Sequence, residues 1–278
     1  MSTKLSKFLL PVSRQGTTEA CRQAAFSLAR DFAARLEVLH LCPAAWQRLP
    51  YASEISPFYS EEGLDICRGQ VSAEQSEVKA WFERALSAHP GASADFRCIE
   101  GFPPTTMAGR ARVADLSVVP SIAAREDEFW MAVRDAALFQ SGRPVLVIPQ
   151  ETPSRFGETI VVAWKDSVES VRAVTAAEPF LAKAKRIVLL SVAEDDNDDP
   201  SLAAIADYLA LTGLKVETSR IASKFGTVGK ALLHEASNAP GTLLVMGAYG
   251  HWRWRVWVFG GVTQEALRDT VVPVLMAH

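Results

Sequence analysis

A chain of 278 residues accommodates one large domain or two ordinary ones, since domains usually hold about 100 to 200 residues each. Its 49% hydrophobic and 22% charged residues supply a substantial core and exclude a disordered chain. The formal charge of −3 provides no positive field to draw the protein onto phosphate backbones, so nucleic acid is not an expected partner.

The opening segment MSTKLSKFLLPVS carries two lysines, but Pro11 interrupts its apolar run, which is too short for a signal-peptide core or a membrane span. A cytoplasmic protein that does not enter a membrane is the expectation. Strand-like runs then appear at KFLLPVS (7–13), LEVLHLC (36–42), ADFRCIE (94–100), DLSVVP (115–120) and RPVLVIP (143–149). Helical stretches at 17–34, 70–88, 104–113 and 126–140 fall between them. The same order repeats with TIVVAWK (159–165), RIVLLSV (186–192), KVETSRI (215–221), TLLVMG (242–247) and VPVLMAH (272–278). Its helical stretches lie at 167–184, 200–212, 226–238 and 261–269.

Strands that alternate with helices and read as continuous apolar runs indicate mainly parallel sheets covered on both faces. The expected fold is therefore α/β: two tandem doubly wound domains, each a five-stranded Rossmann-like unit. PQETPSRFGE (149–158) is the natural linker, and a boundary near Thr152 gives domains 1–151 and 152–278. All four cysteines, Cys21, Cys42, Cys67 and Cys98, lie in the first half without a CxxC pair, which suits buried small hydrophobes in a reducing compartment. An insertion at 44–65 distinguishes the first half. It reads as a lid or an interface, or as a surface loop anchored by Trp46, Tyr51, Phe58 and Tyr59.

The segment carrying chemistry is MGAYGHWRWRVWVFGGVTQEAL, 246–267. After Met246 a strand ends at Gly247, Gly250 follows, and after nine intervening residues come Gly260, Gly261, Val262, Thr263 and a helix. Glycines at a strand's carboxyl edge and before a helix let backbone approach phosphates, while the helix N-terminus offers unpaired N–H groups. This spacing resembles the glycine motif of ATP-binding universal stress proteins, and the repeated strand order with the closing PVLVIP and PVLMAH extends the resemblance over nearly the whole chain.

The resemblance implies an adenine-nucleotide site in the second domain. It implies ATP as the ligand, acting in regulation, with magnesium arriving only on the nucleotide. Gly247, Gly250, Gly260, Gly261 and Val262 would hold phosphates and ribose, and Ala163, Trp164, Lys165 and Val192 would shape the base site. Two positions depart from the family: Gly261 replaces a hydroxyl residue, and Lys165 replaces an acidic acceptor, with Asp166 beside it as a partial substitute. Trp164 stacks on adenine, or fills the pocket and excludes it. The alternative for the glycines is turn geometry kept for the fold. The first half has Pro120 and Ala123 where the leading glycines would stand, so it reads as a degenerate structural partner in an intramolecular pseudo-dimer. Further homodimerisation and an unidentified protein partner remain open.

HWRWRVWVF (251–259) interleaves tryptophans with Arg253 and Arg255. Packing on the neighbouring domain, closure of an arginine over phosphates and a nucleic-acid or membrane contact are the three readings. The acidic run Glu194, Asp195, Asp196, Asp198 and Asp199 lacks the spacing of a calcium loop and reads as a solvated loop ending in a helix N-cap. No metal site and no catalytic set are recognised. His40, His89, His234 and His278 read as isolated, and only His251 adjoins the glycine segment. At most a slow ATPase would be enzymatic. The competing reading is a nucleotide-free interaction protein.

Overall fold

The computed structural model describes residues 4–13, 17–43, 61–121, 128–153, 155–193, 199–222, 227–239, 241–248 and 261–278. In chain order the elements of the first half are β1 (Lys7–Val12), α1 (Glu19–Asp31), β2 (Arg35–Pro43), α2 (Glu61–Ala88), β3 (Ser93–Gly101), α3 (Pro103–Ala111), β4 (Leu116–Pro120), α4 (Glu128–Gln140) and β5 (Val145–Ile148). The second half continues with β6 (Thr159–Ala163), α5 (Val168–Leu181), β7 (Arg186–Ala193), α6 (Pro200–Leu211), β8 (Glu217–Ala222), α7 (Val228–Ser237), β9 (Thr242–Gly247), α8 (Gly261–Asp269) and β10 (Val274–Ala277).

Strand residues alternate between two cores, as the two-residue period of a strand requires. In β1, Phe8, Leu10 and Val12 face one core while Leu9 faces the other. Helices α1, α2, α5 and α6 cover the first face, and α3, α4, α7 and α8 cover the second. The expected arrangement of helices on both sides of a mainly parallel sheet is therefore present. Helix starts are fixed by the side chains that the sequence supplies: Thr18 accepts from Cys21 N at 3.2 Å and Ser167 from Ser170 N at 3.2 Å. Asp199 accepts from Ser201 N at 3.1 Å and Leu202 N at 3.3 Å, with Pro200 next in the chain, which bears out the expected cap at the end of the acidic run. Residues 194–198 lie outside the described residues.

The strands form one sheet in the order β3-β2-β1-β4-β5-β10-β9-β6-β7-β8. Each half has the doubly wound order in which the direction of strand addition reverses beside its first strand, all its strands being parallel. The sequence repeat does not reveal that these halves would join edge to edge. Backbone N–H and C=O groups left on β5 and β10 are satisfied by antiparallel pairing, with Val147 opposite Val274, Leu146 opposite Leu275 and Val145 opposite Met276. The same edge of each half makes the join, so one half presents to the other the surface it receives. Around it, Phe32 and Phe180 meet with ring centroids 4.9 Å apart. Lys183 lies over the Phe32 ring and donates to the Asp31 carbonyl at 2.6 Å.

One helix is longer than expected. Helix α2 begins at Glu61 rather than near 70, thereby absorbing the end of the 44–65 insertion. Acidic residues and Gly69 obscure its period in the sequence, but Cys67, Val71, Val78 and Phe82 are buried at helical spacing. The insertion's anchors Trp46, Tyr51, Phe58 and Tyr59 lie outside the described residues. Among the described residues no helix is long and apolar enough to cross a membrane.

Candidate functional site

In the second half the order β10-β9-β6-β7-β8 places the reversal between β6 and β9. In open α/β sheets ligands bind in the crevice outside the carboxyl ends of the strands at such a reversal. Ala163 closes β6 opposite Met246 of β9, and both side chains belong to the core under α7 and α8. Val192 at the end of β7, Ile221 at the end of β8, Val228 at the start of α7 and Val262 at the start of α8 pack against that core. Each of the four is only partly buried. The carboxyl edge thus carries an apolar wall with accessible rims, next to the N-terminus of α8.

Other sequence-predicted residues separate from this set. Trp164 follows Ala163 on extended chain and points to the opposite face. It is 7% exposed among Val162, Val174 and Leu202, and its indole Nε1 donates to Ser201 Oγ at 3.0 Å. Ser201 Oγ donates in turn to Asp199 Oδ1 at 2.6 Å, and Ser191 Oγ donates to Asp199 Oδ2 at 2.9 Å. The Ser201 hydroxyl, then burial acting the opposite way, then Ser191 and the capped amides act on Asp199, and the hydrogen bonds hold its carboxyl below the usual range. The indole thus completes a structural network linking β6, β7 and α6. Lys165 and Asp166 are exposed beyond it.

Gly247 is required by packing. A Cβ there would lie 2.8 Å from the Glu169 carbonyl carbon and Ser170 N, in the first turn of α5. The close approach that this glycine permits is to a helix of the same chain, a packing reason distinct from both the phosphate cradle and the turn-geometry alternative. Gly247→Ala is accordingly expected to cost about 1–3 kcal/mol through overpacking, read as a lower urea midpoint at unchanged slope. An unchanged midpoint would mean that α5 retreats freely.

Gly261 differs: a Cβ placed there meets nothing within 4 Å. Thr263 is fully buried in α8, and Val262 stands beside α7, where a Cβ on Gly229 would come within 3.2 Å of its Cα. Gly250, Gly260, His251, Arg253 and Arg255 lie outside the described residues, as does Ala123 of the first half. His278 is structural, its Nδ1 sitting 2.9 Å from the Ala248 carbonyl and its ring edge-on to Phe139. His89 stacks on Phe26.

A second constellation was not foreseen. The sequence suggests that Cys42 and Cys98 are buried small hydrophobes and that His40 is isolated. Cys42 is buried, but register overturns the isolation of His40. His40 lies opposite Cys98 across β2 and β3, and Cys42, two residues along, points to the same side. Cys42 Sγ is 2.7 Å from Cys98 Sγ and 3.3 Å from His40 Nδ1, and Cys98 Sγ is 3.6 Å from that nitrogen. The imidazole's other nitrogen, Nε2, meets Glu74 Oε1 of α2 at 3.2 Å. The hydrogen bond with Cys42 chiefly pulls the Cys98 thiol below its usual range, and the same bond chiefly raises Cys42. The only trace in the sequence is His-x-Cys within a strand. Its partner comes 56 residues after Cys42 and is brought in by strand pairing alone.

No protein-family model and no curated protein matches the sequence. The fold does find relatives among solved structures. The chain is similar to a universal stress protein from Archaeoglobus fulgidus DSM 4304, with a TM-score of 0.74 at 19% identity over 99% of both chains. It is also similar to a functionally unknown protein from Pseudomonas aeruginosa PAO1, with a TM-score of 0.57 at 12% identity over 98% of this chain and 92% of that one. Over nearly its whole length, this chain has the fold of a universal stress protein.

Proposed function

We propose that the chain is a tandem universal stress protein, with domains 1–151 and 152–278, whose second domain binds an adenine nucleotide as a regulatory ligand. The observation that carries this reading is the apolar wall of Ala163, Val192, Met246 and Val262 at the carboxyl edge beside the β6/β9 reversal. A purine lies flat on such a wall, and its phosphates extend toward the start of α8, where N–H groups of the first turn lack intrahelical acceptors. ATP fits this arrangement, with magnesium entering on its phosphates. The first domain serves as the structural partner across β5 and β10.

The open space at Gly261 makes the reading testable. Gly261→Ser restores a hydroxyl where there is room for one, and one hydrogen bond to a charged phosphate is worth about 1.5–3 kcal/mol. Calorimetric titration of ATP and magnesium into nucleotide-stripped protein is expected to show one site, tightened about tenfold by Gly261→Ser and lost in Val192→Trp. Absence of heat in both the native chain and Gly261→Ser would sink the proposal. The competing reading, an interaction protein without nucleotide, is favoured by the filled space over Gly247 and by the enclosure of Trp164. That outcome would put it in front.

A further inference from the structure

We propose that His40, Cys42 and Cys98 form a three-ligand site for a thiophilic d10 cation, Zn2+, independent of the nucleotide site. Two sulfurs and one imidazole nitrogen converge at the carboxyl end of the β2/β3 pair, beneath α2. These ligand atoms all lie within 4.8 Å of one another. Thiolate sulfur with imidazole nitrogen is the donor set that selects zinc over magnesium or calcium.

The geometry agrees with a tetrahedral ion. With arms of about 2.3 Å to sulfur and 2.0–2.1 Å to nitrogen, a nitrogen-to-sulfur edge spans about 3.6 Å. The two such edges here measure 3.3 and 3.6 Å. Cys42 Sγ, which is also 3.9 Å from Nε2 and so lies over the ring face, must swing toward the Nδ1 lone pair, and the sulfurs must separate, from 2.7 Å to about 3.8 Å. Cys98 permits that movement because it lies on β3, the terminal strand of the sheet, and is partly exposed. The same exposure gives the ion an entry path and leaves the fourth position to water.

Glu74 supplies the feature that distinguishes a ligand histidine from a buried one. Nδ1 is the nitrogen nearer to both sulfurs, and Nε2–H is directed at the Glu74 carboxylate, which fixes the tautomer that leaves the Nδ1 lone pair for a metal. His40 is fully enclosed and stacks on Phe96 at 6.4 Å, so the ring is held in this orientation. Binding releases one proton from each thiol to solvent, and the two thiolates then neutralise the ion.

The test uses the full chain, reduced and stripped with a chelator, titrated with Co2+ as the spectroscopic probe and then with Zn2+. One cobalt per chain is expected, with a thiolate charge-transfer band and the visible bands of a tetrahedral ion, both removed by equimolar zinc. Cys42→Ser and Cys98→Ser should each abolish the charge-transfer signal of a bound ion, whereas Cys67→Ser should keep it. Glu74→Gln, which leaves all three ligands in place, should weaken zinc binding about 10- to 100-fold while the circular dichroism spectrum is unchanged. Saturable binding that survives Cys98→Ser, or no cobalt spectrum in the reduced native chain, would overturn the proposal. So would a reduced chain that takes no metal but forms a Cys42–Cys98 disulfide in air, which would make the pair a redox device instead.

Discussion

Trp164→Ala is expected to lower stability by about 3–5 kcal/mol, yet leave the ATP affinity of the folded protein unchanged. Both halves of this result come from the side of the sheet on which the indole lies. It fills the core beneath α5 and α6, at 7% exposure, so truncation removes a large apolar side chain from a place where strands and helices cannot follow it inward. Its hydrogen bond adds less, because Ser201 Oγ keeps its bond to Asp199 when the indole is gone. Trp164→Phe, which retains most of the volume and loses the donor, should therefore cost only about 1–2 kcal/mol. Urea unfolding followed by circular dichroism gives the stabilities, and calorimetric titration at a temperature where the variant is folded gives the affinity. A tenfold loss of ATP affinity with little loss of stability would show instead that the indole stacks on the base.

How far the sequence could be read is decided by whether a feature is local. The strand runs and the alternation of helix with strand are written in the residues themselves, and the Asp199–Pro200 helix start follows from two neighbours. Trp164 shows the limit. Its position at a strand's end is legible, but its face depends on how β6 lies between β7 and β9, which composition does not specify. Gly247 is similar: a glycine at a strand's carboxyl edge suits a phosphate or a crossing helix equally, and only the path of α5 decides between them. The β5–β10 join and the His40, Cys42 and Cys98 cluster were the least legible. Each depends on backbone partners far apart in sequence, and a register shift of one residue would turn Cys98 away from the other two.

The strand carrying that cluster is secured by Glu37, and Glu37→Gln is expected to destabilise the protein by about 2–3 kcal/mol at neutral pH. The carboxylate is 5% exposed and receives Arg110 in a bidentate pair, with Nε to Oε1 at 2.6 Å and the second guanidinium nitrogen on Oε2. Lys7 contacts Oε2 at 2.8 Å and Arg97 approaches to 3.7 Å, so β1, β2, β3 and α3 meet at a single acid. Replacing it with an amide leaves these cations without compensating charge. The loss stays below the roughly 3–5 kcal/mol of a fully enclosed pair because Lys7 and Arg110 retain 27% and 28% side-chain exposure. Burial alone would raise the Glu37 pKa, but hydrogen bonds to Arg110 and Lys7 outweigh it and hold the carboxyl below its usual range. A folded-state pKa below the unfolded value means that the contribution is complete above the unfolded pKa, about 4.3, and is lost as pH falls through the folded one. The difference between native and Glu37→Gln protein should consequently be largest near pH 7 and shrink as the solution is acidified. Urea midpoints measured at neutral and acid pH provide the check, and a difference that stays constant would mean that the amide acts through shape rather than charge. Glu37 is three residues before His40 on the same strand, so Glu37→Gln should also loosen the β2/β3 pairing on which the metal ligands depend, weakening zinc binding without touching a ligand.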